Sequence, residues 1–204
     1  MTDWRRGVLR PAATAADRGG KLVVKLGGSL LGRPAWPAAV GRLLADLAEP
    51  AVIVVGGGHL VDALRMFDAA APRPAHTMHA LAIDAMTLTA RFAADALDLP
   101  LVRSPESVAR RAILDAADWL REGDRLTSLP VGWQVTSDTI AAVVAAECGG
   151  RLLLVKSIPP PPLPTTDLKP LARAGWVDAH FPSAATPLVE ILWAAPHDAA
   201  HGQP

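Results

Sequence analysis

Three short stretches hold residues that could do chemistry together. In "KLVVKLGGSLLGR" a lysine, Lys25, sits inside an apolar run that ends in Gly27, Gly28 and Ser29. In "AVIVVGGGHLVDAL" a second apolar run ends in Gly56, Gly57 and Gly58, followed by His59. In "QVTSDTIAAVVA" Asp138 stands at the start of a helical pattern. Glycine leaves backbone N–H groups uncovered, and N–H groups near a helix start carry partial positive charge that holds phosphate oxygens. A lysine beside them points to a site for negative charge. Glycines that merely turn a strand into a helix, and an aspartate that merely offsets a helix dipole, are the plain alternatives. The pair of loops together with Lys25 favours anion binding. Neither loop is a G-x-G-x-x-G fingerprint, because Val61 stands where "GGGHLV" would need its last glycine, and no G-x-x-x-x-G-K-[ST] occurs. A nicotinamide-dependent oxidoreductase is disfavoured on that ground.

The elements that must position these residues alternate. Lys21–Leu26, Ala51–Val55 and Arg151–Val155 read as buried parallel strands, short and apolar. Helical spacing marks Pro37–Ala48, His59–Ala70 (with Leu60, Ala63, Leu64 and Phe67 on one face), the long His76–Leu97, and Ser137–Glu147. Short strands are expected near Leu101–Val102 and Ala116–Leu120. The prolines of Pro159–Pro164 form a stiff segment that cannot join a central ladder. Residues 1–20 and 196–204 lack periodicity and read as flexible tails around a single domain, 21–195. Alternating strands and helices predict an α/β protein, a three-layer αβα sandwich with a mainly parallel central sheet.

Composition narrows the function. The chain has 204 residues, with twenty basic side chains balanced by twenty acidic ones, so no net field draws it to nucleic acid or to an anionic membrane. Cys148 is the single cysteine, which excludes an internal disulfide and a zinc site of several thiolates. No signal-peptide core and no spanning run of about 18 apolar residues is visible, so a reducing, cytoplasmic setting is expected. His76 and His79 lie one turn apart on the long helix but lack H-E-x-x-H or a third ligand in register, so no metal site is assigned. Packing accounts for the tryptophans, Trp133 and Trp176 included.

The segments "VVKLGGSL", "VIVVGGGHLVDALR" and "TSDTIAAVVA", in this order and approximate spacing, resemble the amino acid kinase family across roughly Lys21–Lys156. The resemblance implies ATP-dependent phosphoryl transfer to a small carboxylate or phosphate monoester, with Mg²⁺ held mainly by the nucleotide phosphates. It implies that Lys25 contacts the transferred group, that Gly27, Gly28 and Ser29 form a phosphate loop, and that Gly56, Gly57 and Gly58 face the acceptor. His59, directly after the triple glycine, is a candidate to bond an acceptor phosphate or carboxylate, with capping of the helix start the equal alternative. Asp138 would orient two catalytic lysines, the second being Lys156 in preference to Lys169. The length, "QVTSDTIAA" and "GWVDAHFP" look most like small archaeal-type enzymes that phosphorylate an aminomethylfuran-methyl phosphate in methanofuran synthesis. A homodimer is implied as well, with the long helix as candidate interface. The family's usual "TDVDGV" is replaced here by "LLLVKSIPPPPLP". That departure keeps a second reading open: a non-catalytic anion-binding or assembly protein with a degenerate kinase fold.

Overall fold

A computed structural model describes residues 4–14, 19–161 and 167–197. Seven strands form one sheet: β1 (Trp4–Arg10), β2 (Leu22–Leu26), β3 (Ala51–Val55), β4 (Leu101–Val102), β5 (Arg111–Leu114), β6 (Arg151–Val155) and β7 (Glu190–Pro196), in the order β1-β7-β6-β2-β3-β5-β4. Every neighbouring pair is parallel except β1 with β7. The helices are α1 (Trp36–Ala45), α2 (Gly58–Ala70), α3 (Ala75–Leu97), α4 (Ala116–Arg121), α5 (Ser137–Glu147), α6 (Lys169–Arg173) and α7 (Phe181–Ala184). The chain is the expected α/β protein with a mainly parallel sheet.

The central strands β2, β3 and β6 are buried on both faces, and alternation along each one divides two cores. Leu22, Val24 and Leu26 of β2, with Ile53 and Val55 of β3, pack against α1 and the Ala90–Ala94 part of α3. Val23, Val52, Val54, Leu152 and Leu154 pack against α5, α4 and α7. Two-residue periodicity therefore turns Lys25 to the same side as Val23, towards α5. In the register between β2 and β6, Lys25 lies opposite Leu154, and Lys156, two residues on, extends from that same side.

Three expectations are corrected. Residues 4–10, read as part of a loose N-terminal stretch, form the edge strand β1, because Trp4 and Leu9 are buried on the two faces of the sheet. Its Arg5, Arg6 and Arg10 place charge on an edge that would otherwise invite pairing. Ala116–Leu120 is helical, since the Asp115 side chain accepts the Asp118 N–H and starts α4, and the strand lies earlier, at Arg111–Leu114. The third is β7, whose "EILWAAP" is an apolar run between β1 and β6 that the expected set of strands omits. Most of the supposed C-terminal tail, 198–204, lies outside the described residues, as do 162–164 of the proline run. Among the described residues no helix is long and apolar enough to cross a membrane.

Candidate active site

The carboxyl ends of β2, β3 and β6 meet the N-terminus of α5, and Asp138 is held there between two lysines. Lys25 Nζ lies 2.9 Å from Oδ1 and Lys156 Nζ 2.6 Å from Oδ2. Lys25 and Asp138 are only 5 % and 3 % exposed. Burial pushes the Asp138 carboxyl up, but Lys156 and then Lys25 outweigh it and hold the group down at about 2. Burial pulls the Lys156 ammonium down to about 8, against the attraction of Asp138 and with the repulsion of Lys25. Two cations and one anion leave the cluster one positive charge in excess, which suits it to an incoming anion.

The glycine loops floor the site. Gly28 and Gly58 pack backbone to backbone: a Cβ on Gly28 would overlap Gly58 N and Gly56 O, and one on Gly58, whose φ is +53°, would stand 2.5 Å from Gly28 O. The two loops thus behave as a single surface. The Gly27 N–H is bound to the Val155 carbonyl at 2.8 Å and the Gly56 N–H to that of Leu26 at 2.9 Å, so both extend the ladder. The N–H groups of Gly28, Ser29, Gly57 and Gly58 find no hydrogen-bond partner among the described residues. Such donors, next to two ammonium groups, are what an oxyanion requires.

A cavity of about 510 Å³ opens over this floor, bordered by Lys25, Asp138, Lys156, Gly28, Ser29 and Gly56–Gly58. Its far wall comes from α3, α2 and the segment before α5, and includes His79, Ile83, Met86, Arg65 and Trp133. The structure therefore brings together Lys25, Asp138, Lys156, Gly28, Ser29, Gly56, Gly57 and Gly58. Gly27 supports the loop from behind and does not border the cavity. His59 is corrected: the first turn of α2 directs it outward, its side chain is 76 % exposed, and Nδ1 lies 3.5 Å from Asp62. Lys169, at the start of α6, is exposed and away from the cavity, whereas Lys156 borders it beside Lys25. Among the described residues no group of three or more histidine, cysteine or acidic side chains could hold a metal ion.

One supporting residue escaped the sequence reading. Asp178 accepts six hydrogen bonds, from the N–H and hydroxyl of Thr136 (3.1 and 2.8 Å), the N–H and hydroxyl of Thr139 (2.9 and 2.6 Å), and the N–H groups of His180 and Phe181 (3.1 and 2.9 Å). It ties the first turn of α5 to the segment before α7 and so fixes Asp138 in place. Trp133, taken as packing, lines the cavity instead: Arg65 stacks on its ring at 5.0 Å and its Nε1–H donates to Asp68 at 3.0 Å.

An αβα sheet with paired glycine loops and a Lys–Asp–Lys cluster at its carboxyl edge offers a place where an anion can be held. The model of the "Amino acid kinase family" matches residues 20–159, well over half of the chain, and the chain belongs to that family. Similar solved structures include the UMP kinase of Ureaplasma parvum, 14 % identical with a TM-score of 0.47, covering 68 % of this chain and 70 % of that one. The uridylate kinase of Archaeoglobus fulgidus is 16 % identical with a TM-score of 0.47, covering 72 % of this chain and 69 % of that one. No curated protein matches the chain.

Proposed function

We propose that the protein is a small-molecule kinase that transfers a phosphoryl group from ATP to a carboxylate or phosphate monoester. The observation that carries this reading is the buried Asp138 flanked by Lys25 and Lys156 at the edge of a floor of unpaired backbone N–H groups. Phosphoryl transfer asks a protein mainly to align donor and acceptor and to offset charge on the equatorial oxygens. Lys25 and Lys156 supply that charge, Asp138 keeps both ammonium groups apart and pointed into the cavity, and the Gly28–Ser29 and Gly57–Gly58 amides fix oxygens on either side. ATP would bring its own Mg²⁺, held by its phosphates.

The finer identity of the acceptor rests on sequence resemblance. Within "QVTSDTIAA" and "GWVDAHFP" lie Asp138 and its tether Asp178, so the two segments with the narrower likeness build one corner of the site. On that basis an aminomethylfuran phosphate of methanofuran-type cofactor synthesis heads the acceptors to be tried. A homodimer is part of the same reading, with the long helix α3 as candidate interface, where Leu81, Leu88 and Phe92 stand exposed at helical spacing.

Two measurements test the proposal. ATP with Mg²⁺ is expected to raise the melting temperature, because a ligand bound only by the folded state stabilises it. Radiolabel from γ-labelled ATP is expected to pass to one member of a panel of phosphate monoesters and carboxylates, and to do so far more slowly in Lys25→Ala. Neither stabilisation nor transfer would refute the kinase reading, and stabilisation by phosphate anions without any transfer would favour the non-catalytic anion-binding protein.

A further inference from the structure

On the far wall of the cavity, His79 has a ring nitrogen with nothing to bind. The residue is 8 % exposed and borders the cavity, and its Nε2 is buried without a hydrogen-bond partner among the described residues. Leaving a buried polar atom unpaired is costly, so such an atom beside a cavity marks a place where a partner is to arrive.

The other ring nitrogen shows which kind of partner. Nδ1 lies 3.4 Å from the N–H of Gly132 and 3.3 Å from its carbonyl oxygen. The carbonyl already accepts the Val135 N–H, at 3.5 Å, whereas the Gly132 N–H has no other acceptor. The tautomer that satisfies both groups has its lone pair on Nδ1 and its proton on Nε2. Nε2–H is then a donor and calls for an oxygen. Gly132 can hold this position because its φ is +133° and a Cβ there would run into the Gln134 amide.

Apolar side chains lead from this donor towards the glycine floor. Ile83 and Met86 follow His79 on one face of α3, at spacings of four and seven residues, Met86 lies beside Gly57, and Trp133 lines the same cavity. We propose that the acceptor carries an oxygen atom remote from the group that is phosphorylated, a ring oxygen or a carboxylate among the candidates, and that His79 Nε2–H reads it across an apolar body lying on Ile83, Met86 and Trp133. This rests on the phosphoryl-transfer reading for the end of the cavity at Lys25, and it makes His79 a specificity residue.

Binding without nucleotide separates the two ideas. The probes are 4-carboxybenzyl phosphate and 4-methylbenzyl phosphate, which share phosphate and ring and differ in the distal oxygen. The parent protein is expected to bind the carboxylate about tenfold or more tightly than the methyl compound, as one hydrogen bond to a charged group gives. The ring nitrogen resonances of His79 in ¹⁵N-labelled protein are expected to move with the carboxylate alone. In His79→Phe the preference should vanish, and His79→Gln, which keeps an N–H, should restore part of it. Equal affinity for both probes in the parent, or a preference that survives in His79→Phe, overturns the proposal. If His79→Phe does not fold, the nitrogen shifts of the parent decide alone. A selective site with no transfer of phosphate to any acceptor would remove the kinase reading and keep the subsite; transfer without selectivity would do the reverse.

Discussion

Gly28 and Gly58 meet so closely that neither can carry a side chain, and this one contact joins two loops that are 30 positions apart in sequence. Gly28→Ala must push Gly58 N and Gly56 O away, and both are backbone atoms. The variant is expected to lose nucleotide-dependent stabilisation and to melt several degrees lower. Gly41→Ala is the control, since nothing lies within 4 Å of a Cβ at that position in α1. That change should stabilise by about 0.5–1 kcal/mol, because alanine suits a helix interior better than glycine does. Paired thermal melts check both.

Removing Lys25 and neutralising Asp138 should have different signatures. Lys25→Ala leaves Asp138 paired with Lys156, so the fold should hold while turnover drops about 100-fold or more, the scale of a preorganised charge in a transition state. Asp138→Asn leaves two buried ammonium groups without a counter-charge, and its cost to stability should be on the order of 3 kcal/mol besides the loss of rate. Steady-state rates and denaturant unfolding of the two variants separate the effects. Unchanged turnover in Lys25→Ala would mean that the lysine is incidental.

The Lys156 ammonium, lowered by burial to about 8 from 10.5, should give kcat/KM an alkaline limb near pH 8. Stability behaves differently. Between about 8 and 10.5 the unfolded chain holds the proton that the folded chain has released, so this group adds stability as pH rises through that window. At the acid end Asp138 acts in the usual carboxylate sense: its contribution is complete above 3.8 and is lost as pH falls towards about 2. A pH–rate profile whose alkaline limb coincided with a fall in melting temperature would contradict this assignment. A shift of the limb to higher pH at saturating ATP would support it, because a bound anion favours the charged lysine.

Asp178→Ala deprives Thr136, Thr139, His180 and Phe181 of their common acceptor. The loss of a helix cap together with several charge-assisted hydrogen bonds should destabilise by about 2 kcal/mol or more. Because Asp138 sits in the same first turn of α5, turnover should fall too. Asp178→Asn, which keeps one acceptor oxygen, is expected to fall between parent and Ala in both melting temperature and rate.

What could be seen in the chain beforehand was what depends on near neighbours. Ala51–Val55, Arg151–Val155 and Ser137–Glu147 match their elements residue for residue, because each is an unbroken run with glycines or a cap at its ends. Lys25 was legible as an oddity within such a run. Lys156 was preferable to Lys169 from its place at a strand end, and the register of β6 against β2 brings it to the side of the sheet that Lys25 occupies. Asp178 contributes through hydrogen bonds to Thr136 and Thr139, about 40 positions away, and no local pattern reports them. His79 has a histidine one turn away but no third ligand in register, and its contact with Gly132, 53 positions on, leaves no local signal. His59 misled for the opposite reason: it adjoins the right glycines in sequence, and the turn of a helix carries it out of the site.

The pairing of β1 with β7 sets a timetable for the newborn protein. Trp4–Arg10 leaves the ribosome some 180 residues before the strand it lies against, Glu190–Pro196. The central strands β2, β3 and β6 can assemble while the first segment waits, since their order in the sheet does not involve it. Until that segment returns, the outer edge of β7 has unpaired N–H and C=O groups that a strand from another nascent chain could occupy. The arginines of β1 thus arrive as a late seal, and the interval before they do is when this chain is most exposed to its neighbours.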